Sequence, residues 1–170
     1  MALSEDSPRV VVRSCAPSEV AVVHGLIVEL ARYERAEQEV ALTVEILQSD
    51  MAQGRFECFV AEAAGQIVGM ALHHARYSTW KGLTWYLEDL VVTEAWRGRG
   101  VGRSLFLAVA AHARSVNAKR LEWQVLDWNE PAIGFYKTLG ASLTDTWLNG
   151  RLTDEDLATL PSPSNFAAHG

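Results

Sequence analysis

Residues 96–104 read WRGRGVGRS, a glycine-rich stretch that joins an apolar segment to an amphipathic one. Upstream, the run LVV at residues 90–92 is typical of the end of a buried strand. Downstream, four-residue spacing of apolar residues predicts the inner face of a helix, formed by Val101, Leu105, Val109 and Ala113. The glycines therefore stand where a helix begins. Free N–H groups at such a terminus, with glycine allowing close approach, favour an anion such as phosphate.

The spacing within this glycine loop restricts its ligands. A nucleoside-triphosphate loop needs four residues between its outer glycines and then Lys with Ser or Thr, whereas Gly98 and Gly102 enclose three and Arg103 follows. A dinucleotide-binding loop needs a third glycine where Arg103 stands, together with a parallel sheet. The remaining pattern, Arg97-x-x-Gly100-x-Gly102, is compatible with a phosphate-binding loop and with a tight turn that binds nothing.

The rest of the chain predicts strands and helices around this loop. Strands are predicted at 10–12, 56–62, 66–76, 84–93 and 120–126, with a hairpin at 63–65, and helices at 17–34, 43–53, 101–113 and from the Asn129 cap to Gly140. The order β-α-α-β-β-β-α-β-α predicts an α/β fold, in which helices cover a mixed sheet. A chain of 170 residues with 49% hydrophobic content suits one domain, over residues 1–160, with 161–170 as a flexible tail.

Three further segments occur in a fixed order around the loop: YSTWKG at 77–82, YLEDL at 86–90, and LDWNEP through FYK at 126–137. Together with the loop, and with ELARYE at 29–34, they resemble the GNAT superfamily of N-acetyltransferases. Within it they are most similar to the diamine (spermidine/spermine) and thialysine acetyltransferases. The resemblance extends from about Val10 to Gly140. It implies a mixed, mostly antiparallel sheet flanked by helices, order β-α-α-β-β-β-α-β-α-β, and a homodimer.

The resemblance also implies acetyl-coenzyme A (acetyl-CoA) as cosubstrate and no metal. In the family, loop amides hold the pyrophosphate, a strand N–H near Leu90 or Val92 polarises the thioester, and an Asn side chain lies near the pantetheine arm. The implied cofactor residues are Leu90, Val92, Arg97, Gly98, Arg99, Gly100, Val101, Gly102, Arg103, Asn129 and Tyr136. Asn129 is equally well explained as a helix N-cap.

The chemistry implied by the family is attack of a neutral amine on the acetyl thioester. A lysine-type amine, with a pKa near 10.4, must first lose a proton, which costs about 4 to 5 kcal/mol at pH 7. The resemblance assigns Glu88 as the base and Asp89 as a substrate-side carboxylate. Neighbouring residues on a regular strand point to opposite faces, so only one of them reaches the amine unless a β-bulge redirects them. The alternative is an acidic pair that is solvated or paired with Lys or Arg.

Four other side chains complete the implied site. Tyr136 matches the family's acid, which protonates the leaving thiolate, although a tyrosine on an apolar helix face can also be a core residue. Tyr33, Glu34 and Trp80 match positions of the amine channel, where carboxylates and aromatic faces attract an ammonium. The alternatives are the frayed end of a helix for Tyr33 and Glu34, and a loop tryptophan that covers the core for Trp80.

The chain departs from the family pattern in two places. The polyamine branch has an aspartate at the position of Ser78. In having a serine there, this chain is similar to the thialysine branch, which weakens the prediction of polyamine binding. Trp147 aligns with a final-strand tryptophan, but the acidic residues that precede it in the family are reduced to Asp145. The far end of the amine is therefore expected to bind differently.

The sequence thus predicts transfer of acetyl from acetyl-CoA to a primary amine of a small diamine or thialysine-like substrate by direct attack. The alternatives are a protein lysine or N-terminal acetyltransferase, and a noncatalytic acyl-CoA-binding protein. The formal charge of −6 argues against nonspecific nucleic-acid binding and favours a cationic substrate. Cys15 and Cys58 form neither a disulfide framework nor a zinc pattern and are predicted to be reduced and buried. Without a signal peptide or a membrane span, the protein is predicted to be cytoplasmic.

Overall fold

The computed structural model describes residues 8–162, which divide into two compact units at Gln124/Val125. The first contains strands β1 (Val10–Ser14), β2 (Glu57–Ala63), β3 (Gln66–Ser78), β4 (Gly82–Val92) and β5 (Leu121–Glu122), with helices α1 (Val20–Tyr33), α2 (Val44–Ala52) and α3 (Val101–Ser115). The second contains α4 (Glu130–Thr138) and α5 (Asp154–Thr159). The tail predicted at 161–170 lies almost entirely outside the described residues, and the single domain over 1–160 stays a prediction.

The five strands of the first unit form one sheet in the order β1-β2-β3-β4-β5. Successive strands are antiparallel from β1 to β4, and β5 runs parallel to β4. The first hairpin turns through Ala64 and Gly65, both with positive φ of 50° and 75°, as a two-residue turn requires. The predicted mixed, mostly antiparallel sheet flanked by helices is confirmed.

The two faces of the sheet are covered by different helices. On one face, Cys58, Val60, Met70, Leu72 and Val91 pack with Val20, Val23 and Leu26 of α1 and Leu47 of α2. On the other lies α3, whose predicted inner residues Val101, Leu105, Val109 and Ala113 are all buried. Gly69 makes this second contact possible, because a Cβ there would lie 2.8 Å from the Val91 carbonyl oxygen and 3.2 Å from Leu105 Cδ1. Cys15 and Cys58 are buried, as predicted.

Two strand predictions were wrong. The strand expected at 120–126 is reduced to Leu121 and Glu122, which pair only with Trp85 and Tyr86. The final strand expected around Trp147 does not form within the described residues. Residues 142–153 are all exposed and offer no buried face for a sheet. The chain instead enters α5, where Thr153 accepts a hydrogen bond from the Asp156 N–H (3.1 Å) and caps an acidic first turn.

None of the helices within residues 8–162 is both long enough and apolar enough to cross a membrane.

Candidate active site

A β-bulge in β4 determines where the two predicted carboxylates lie. Leu72 of β3 pairs with Asp89, but its neighbour His73 pairs with Leu87, so Glu88 is an extra residue without a partner in the register. The bulge changes the alternation of the strand. Leu87 therefore faces α3 with His73, while Asp89 faces α1 with Leu72. Glu88 contacts His74, the next residue of β3 on the α1 face, so both carboxylates are on the α1 side.

Three carboxylates lie close enough to affect one another at this bulge. The pKa of Asp89 is raised to about 6, first because the side chain is buried, and then because of the negative charges of Glu88 and Glu34. Burial also raises the pKa of Glu34, which caps the C-terminus of α1. Within residues 8–162, no Lys or Arg lowers the pKa of either group. The cluster therefore carries negative charge without a compensating protein cation.

Tyr33 and Arg97, predicted for amine and cofactor respectively, are in contact with each other. The Arg97 guanidinium lies 5.4 Å from the centroid of the Tyr33 ring and 3.8 Å from a Glu29 carboxylate oxygen of α1. Its Nε also donates to the Val92 carbonyl oxygen at 2.9 Å. Arg97 thus joins the glycine loop to α1, and the predicted amine and cofactor residues are adjacent here.

The glycine loop leaves a row of backbone donors at the start of α3. Gly98 and Gly100 have positive φ (71° and 82°), and Gly100 is the N-cap of α3. The first i to i−4 backbone hydrogen bond at the start of α3 runs from the Ser104 N–H to the carbonyl oxygen of the N-cap Gly100. The amides of residues 98–103 have no acceptor among the described residues. Nothing lies within 4 Å of a Cβ placed at Gly98 or Gly100, and the exposed Arg99 and Arg103 add positive charge. These features fit a pyrophosphate such as that of acetyl-CoA.

Leu90 and Val92 lie on a strand edge that is open within the first unit. β5 pairs with β4 only at Trp85 and Tyr86, so the β5 side of β4 has no strand partner beyond Tyr86 among the described residues. The opposite side is paired with β3, through Ala71 and Gly69. An open backbone edge next to the glycine loop is where a strand N–H is available to a thioester oxygen.

Trp80 lies in the turn between β3 and β4, and its side chain is 81% exposed. No contact in the structure brings it to the carboxylate cluster. Ser78 Oγ accepts hydrogen bonds from the Trp80 and Lys81 N–H groups (3.3 Å each) and from Arg120 Nη2 (3.2 Å). Ser78 therefore holds the turn together, and the positive charge beside it comes from Arg120.

The second unit holds the other two predicted catalytic and cofactor residues. Asn129 is the N-cap of α4, and its Oδ1 accepts from the Ala132 N–H at 3.3 Å. Tyr136 is the buried side chain of this helix, with its ring 5.1 Å from that of Phe135. Trp147 is 79% exposed. The N-cap explanation of Asn129 is confirmed.

His74 is a site residue that the sequence did not reveal. Its Nε2 lies 3.3 Å from Glu88 Oε2, its Nδ1 lies 3.0 Å from the Ala75 carbonyl oxygen, and its ring stacks on Tyr86 with centroids 5.4 Å apart. The signal lies in the hairpin register, because Ser78 pairs with Gly82 and places His74 opposite Tyr86. No group of three or more His, Cys, Asp or Glu side chains in the described part of the chain is arranged to hold a metal ion.

Comparisons with known proteins identify the family and the fold. Residues 23–141 match the model of the acetyltransferase (GNAT) family. Thialysine N-epsilon-acetyltransferase of Mus musculus is 35% identical over 88% of this chain and 95% of its own length. The same enzyme of Caenorhabditis elegans is 36% identical over 72% and 77%, respectively. Among solved structures, the aminoglycoside N-acetyltransferase AAC(6')-Iy in complex with CoA has a TM-score of 0.72 at 18% identity, over 88% of this chain and 99% of that one. At this identity the likeness concerns the fold.

Proposed function

Because the chain belongs to the GNAT family of acetyltransferases, we propose that it transfers acetyl from acetyl-CoA to a primary amine of a thialysine-like compound or small diamine. The observation that carries this proposal is the carboxylate cluster at the β4 bulge, where burial and the charges of Glu88 and Glu34 raise the pKa of Asp89. A cluster of this kind attracts a cationic amine and has a base at its edge.

Glu88 takes up the proton that the ammonium loses, directly or through one water. Its side chain is 55% exposed, so substrate and solvent both reach it. Asp89, being mostly buried, is suited to hold the ammonium by charge. Tyr33 enters this proposal as the neighbour of Glu34 in the chain, and its ring also contacts the Arg97 guanidinium. The two carboxylates thus have different tasks because the bulge gives them different exposure.

Acetyl-CoA supplies the activated acetyl thioester. The free amides of residues 98–103 and the Arg99 and Arg103 side chains bind its pyrophosphate, and the open edge of β4 at Leu90 or Val92 offers an N–H to the acyl oxygen. Tyr136 gives its phenolic proton to the sulfur of the leaving CoA thiolate. Asn129, whose Oδ1 caps α4, is placed beside the pantetheine arm in this proposal by the family resemblance.

Ser78 and Arg120 support the choice of a short amine. At the position where the resemblance places an aspartate in the polyamine branch, Ser78 Oγ is engaged by the turn amides and by Arg120. In this proposal, a second ammonium beside Ser78 meets the Arg120 guanidinium, which is itself 3.6 Å from a Glu122 carboxylate oxygen, and not a carboxylate at position 78. A zwitterionic, thialysine-like amine, whose far end carries a carboxylate, is better matched to this charge than a polyamine.

The test is CoA release from acetyl-CoA with a panel of thialysine, lysine, putrescine, spermidine, an aminoglycoside and a lysine-containing peptide. We expect turnover with thialysine, less with spermidine, and loss of about 10²- to 10⁴-fold in kcat in Glu88→Gln and Tyr136→Phe. Turnover on the peptide alone selects protein acetylation. Tight binding of acetyl-CoA without turnover on any amine selects a noncatalytic acyl-CoA binder.

The proposal extends to a homodimer that acts in the cytoplasm, as the family resemblance implies. Size-exclusion chromatography with light scattering tests the first point, since a molecular mass near 18.7 kDa contradicts a dimer. Fractionation of the source cells tests the second.

A further inference from the structure

His74 is placed between two hydrogen-bond acceptors. The Ala75 carbonyl oxygen lies 3.0 Å from Nδ1, and Glu88 Oε2 lies 3.3 Å from Nε2. Neither oxygen can donate when Glu88 is ionised. A neutral imidazole has one N–H and satisfies only one of them, whereas the imidazolium satisfies both. The ring is also held in place by stacking on Tyr86, its cross-strand neighbour, at 5.4 Å.

The Ala75 carbonyl makes the two nitrogens unequal. It keeps a proton on Nδ1 in every charge state, so only Nε2, the nitrogen that faces Glu88, gains and loses one. The side chain of His74 is 32% exposed, so a proton on this ring reaches water without crossing the core. The contact therefore has the geometry of a proton path from Glu88 to solvent.

We propose that His74 is a positioning residue that acts through Glu88: it takes up the proton that Glu88 collects from the amine and passes that proton to solvent. This inference rests on the proposed role of Glu88 as base. The ammonium loses a proton to the Glu88 carboxylate, and its freed electron pair attacks the thioester carbon. The C–S bond then breaks, CoA leaves as a thiolate that takes the Tyr136 phenolic proton, and the new amide nitrogen gives its second proton to the phenolate. The Glu88 O–H then transfers its proton to the bare Nε2 of neutral His74, which restores the carboxylate. The imidazolium finally releases that proton to water, and Nδ1 keeps its own throughout.

The ionisable groups near His74 and its two contacts come from β3, β4, β5 and the end of α1. His73 is adjacent to His74, and Arg76, Glu88 and Glu122 act on Tyr86. Asp89, next to Glu88, is also affected by Glu34. Arg76 lies over the Tyr86 ring, 5.3 Å from its centroid. His73 is buried and hydrogen-bonded through Nδ1 to Trp85 Nε1 on the other face of the sheet, so it cannot replace His74.

Three His74 variants separate positioning from proton transfer. His74→Phe keeps a ring against Tyr86 but removes both nitrogens. His74→Gln keeps an N–H donor for Glu88 but cannot carry a proton through. His74→Ala opens space for added imidazole. His24→Gln is the matched control, because His24 lies in α1 and its Nε2 contacts the Leu42 carbonyl oxygen at 2.7 Å, away from the bulge. All variants are compared by melting temperature to exclude misfolding.

We expect kcat to fall about tenfold in His74→Phe, less than for loss of Glu88 itself, with the KM for acetyl-CoA unchanged. The acid limb of the kcat/KM profile should change, because the wild-type relay requires His74 to be neutral and the variant no longer carries that ionisation. His74→Gln should keep the wild-type KM for the amine with reduced kcat, and imidazole should restore His74→Ala in proportion to its concentration. Provided that Glu88→Gln is inactive, either of two results overturns the proposal. The first is a wild-type kcat and pH profile in His74→Phe, and the second is the absence of rescue of His74→Ala by imidazole.

A measurement without turnover separates this failure from failure of the proposed function. NMR of the His74 ring in the wild-type chain and in Glu88→Gln reports the pH at which Nε2 loses its proton. We expect this pH to be lower in Glu88→Gln, because the amide that replaces the carboxylate carries no negative charge to stabilise the imidazolium. An unchanged titration overturns the pairing, whatever the enzyme acetylates. Full activity of Glu88→Gln overturns the base assignment and, with it, the role of His74.

Discussion

Replacing Asp89 by asparagine should stabilise the fold at neutral pH while weakening amine binding. An aspartate in the unfolded chain loses its proton near pH 3.8, but burial, with Glu88 and Glu34 nearby, raises the pKa of folded Asp89 to about 6. Between these values the folded state binds more protons than the unfolded state. The contribution of Asp89 to stability is therefore largest below pH 3.8, declines as pH rises to 6, and is constant above it.

The size of this effect follows from the two pKa values. At about 1.36 kcal/mol per pKa unit, a pKa of about 6 in place of 3.8 costs about 3 kcal/mol at pH 7. An asparagine removes the charge but buries an amide that needs partners, which costs about 1 kcal/mol. A net gain of about 2 kcal/mol raises the melting temperature by roughly 4 to 8 °C for a chain of this size.

His73 complicates the pH dependence of the wild-type chain, because it acts in the opposite direction over the same range. Burial, and then the charges of His112 and His74, lower its pKa from 6.5 to about 4. The folded state therefore binds fewer protons at His73 than the unfolded state does, and stability is lost as pH falls from 6.5 to 4. The two groups nearly cancel, so the wild-type stability is expected to change little across this range on their account.

The assay is urea unfolding of wild type and Asp89→Asn at pH 4, 5.5 and 7, because the difference between the two removes the contribution of His73. We expect a difference near zero at pH 4 that grows to about 2 kcal/mol in favour of the variant at pH 7. Asp145→Asn, a change at an exposed position, is the control and should show no such growth. A variant that is less stable than wild type at pH 7, or a difference independent of pH, refutes the reasoning.

Variants at four other positions test the site, the sheet and α1. Gly69→Ala should lower the free energy of unfolding by about 1 to 3 kcal/mol, because the added Cβ lies 2.8 Å from the Val91 carbonyl oxygen. Gly25→Ala in α1 is its control: the added Cβ has nothing within 4 Å, and the variant should be more stable by about 0.5 to 1 kcal/mol. Gly100→Ala should lower stability by about 1 kcal/mol and weaken acetyl-CoA binding in calorimetry, because the N-cap has a φ of 82°; equal affinity would contradict the role of the loop. Asn129→Ala should cost about 1 kcal/mol, and Asn129→Ser should restore stability. If Asn129→Ser also restores the KM for acetyl-CoA, Asn129 is a cap and does not bind pantetheine.

The parts of the fold that could be predicted from sequence are those controlled by local pattern. The four-residue spacing from Val101 to Ala113 predicted the buried face of α3, and the cap and stop residues Asn129 and Gly140 predicted α4. The two-residue turn at Ala64 and Gly65 predicted the first hairpin. In each case the residues that decide the structure lie within a few positions of one another.

The predictions that failed depended on pairing between distant segments. β5 ends after Glu122 and pairs only with Trp85 and Tyr86, although β4 continues to Val92. The residues around Trp147 have the composition of a strand but bury no face. The bulge at Glu88 arises from the register between β3 and β4, which alternation within β4 cannot reveal. His74 was missed for the same reason, since its contact with Glu88 exists only in that register.

The bulge also explains why the cluster of carboxylates is at once unfavourable for the fold and useful for the reaction. Glu34 and Asp89 both have raised pKa values and no protein cation within the described residues. A bound ammonium supplies that missing charge, so it should lower the pKa of Asp89 toward its ordinary value and regain part of the roughly 3 kcal/mol that ionisation costs. That energy corresponds to about a hundredfold in affinity for a cationic over a neutral ligand. The amine should therefore raise the melting temperature of the wild-type chain at pH 7 and have little effect on that of Asp89→Asn. This difference would show that the charge at Asp89, which destabilises the fold, also contributes to binding of the substrate.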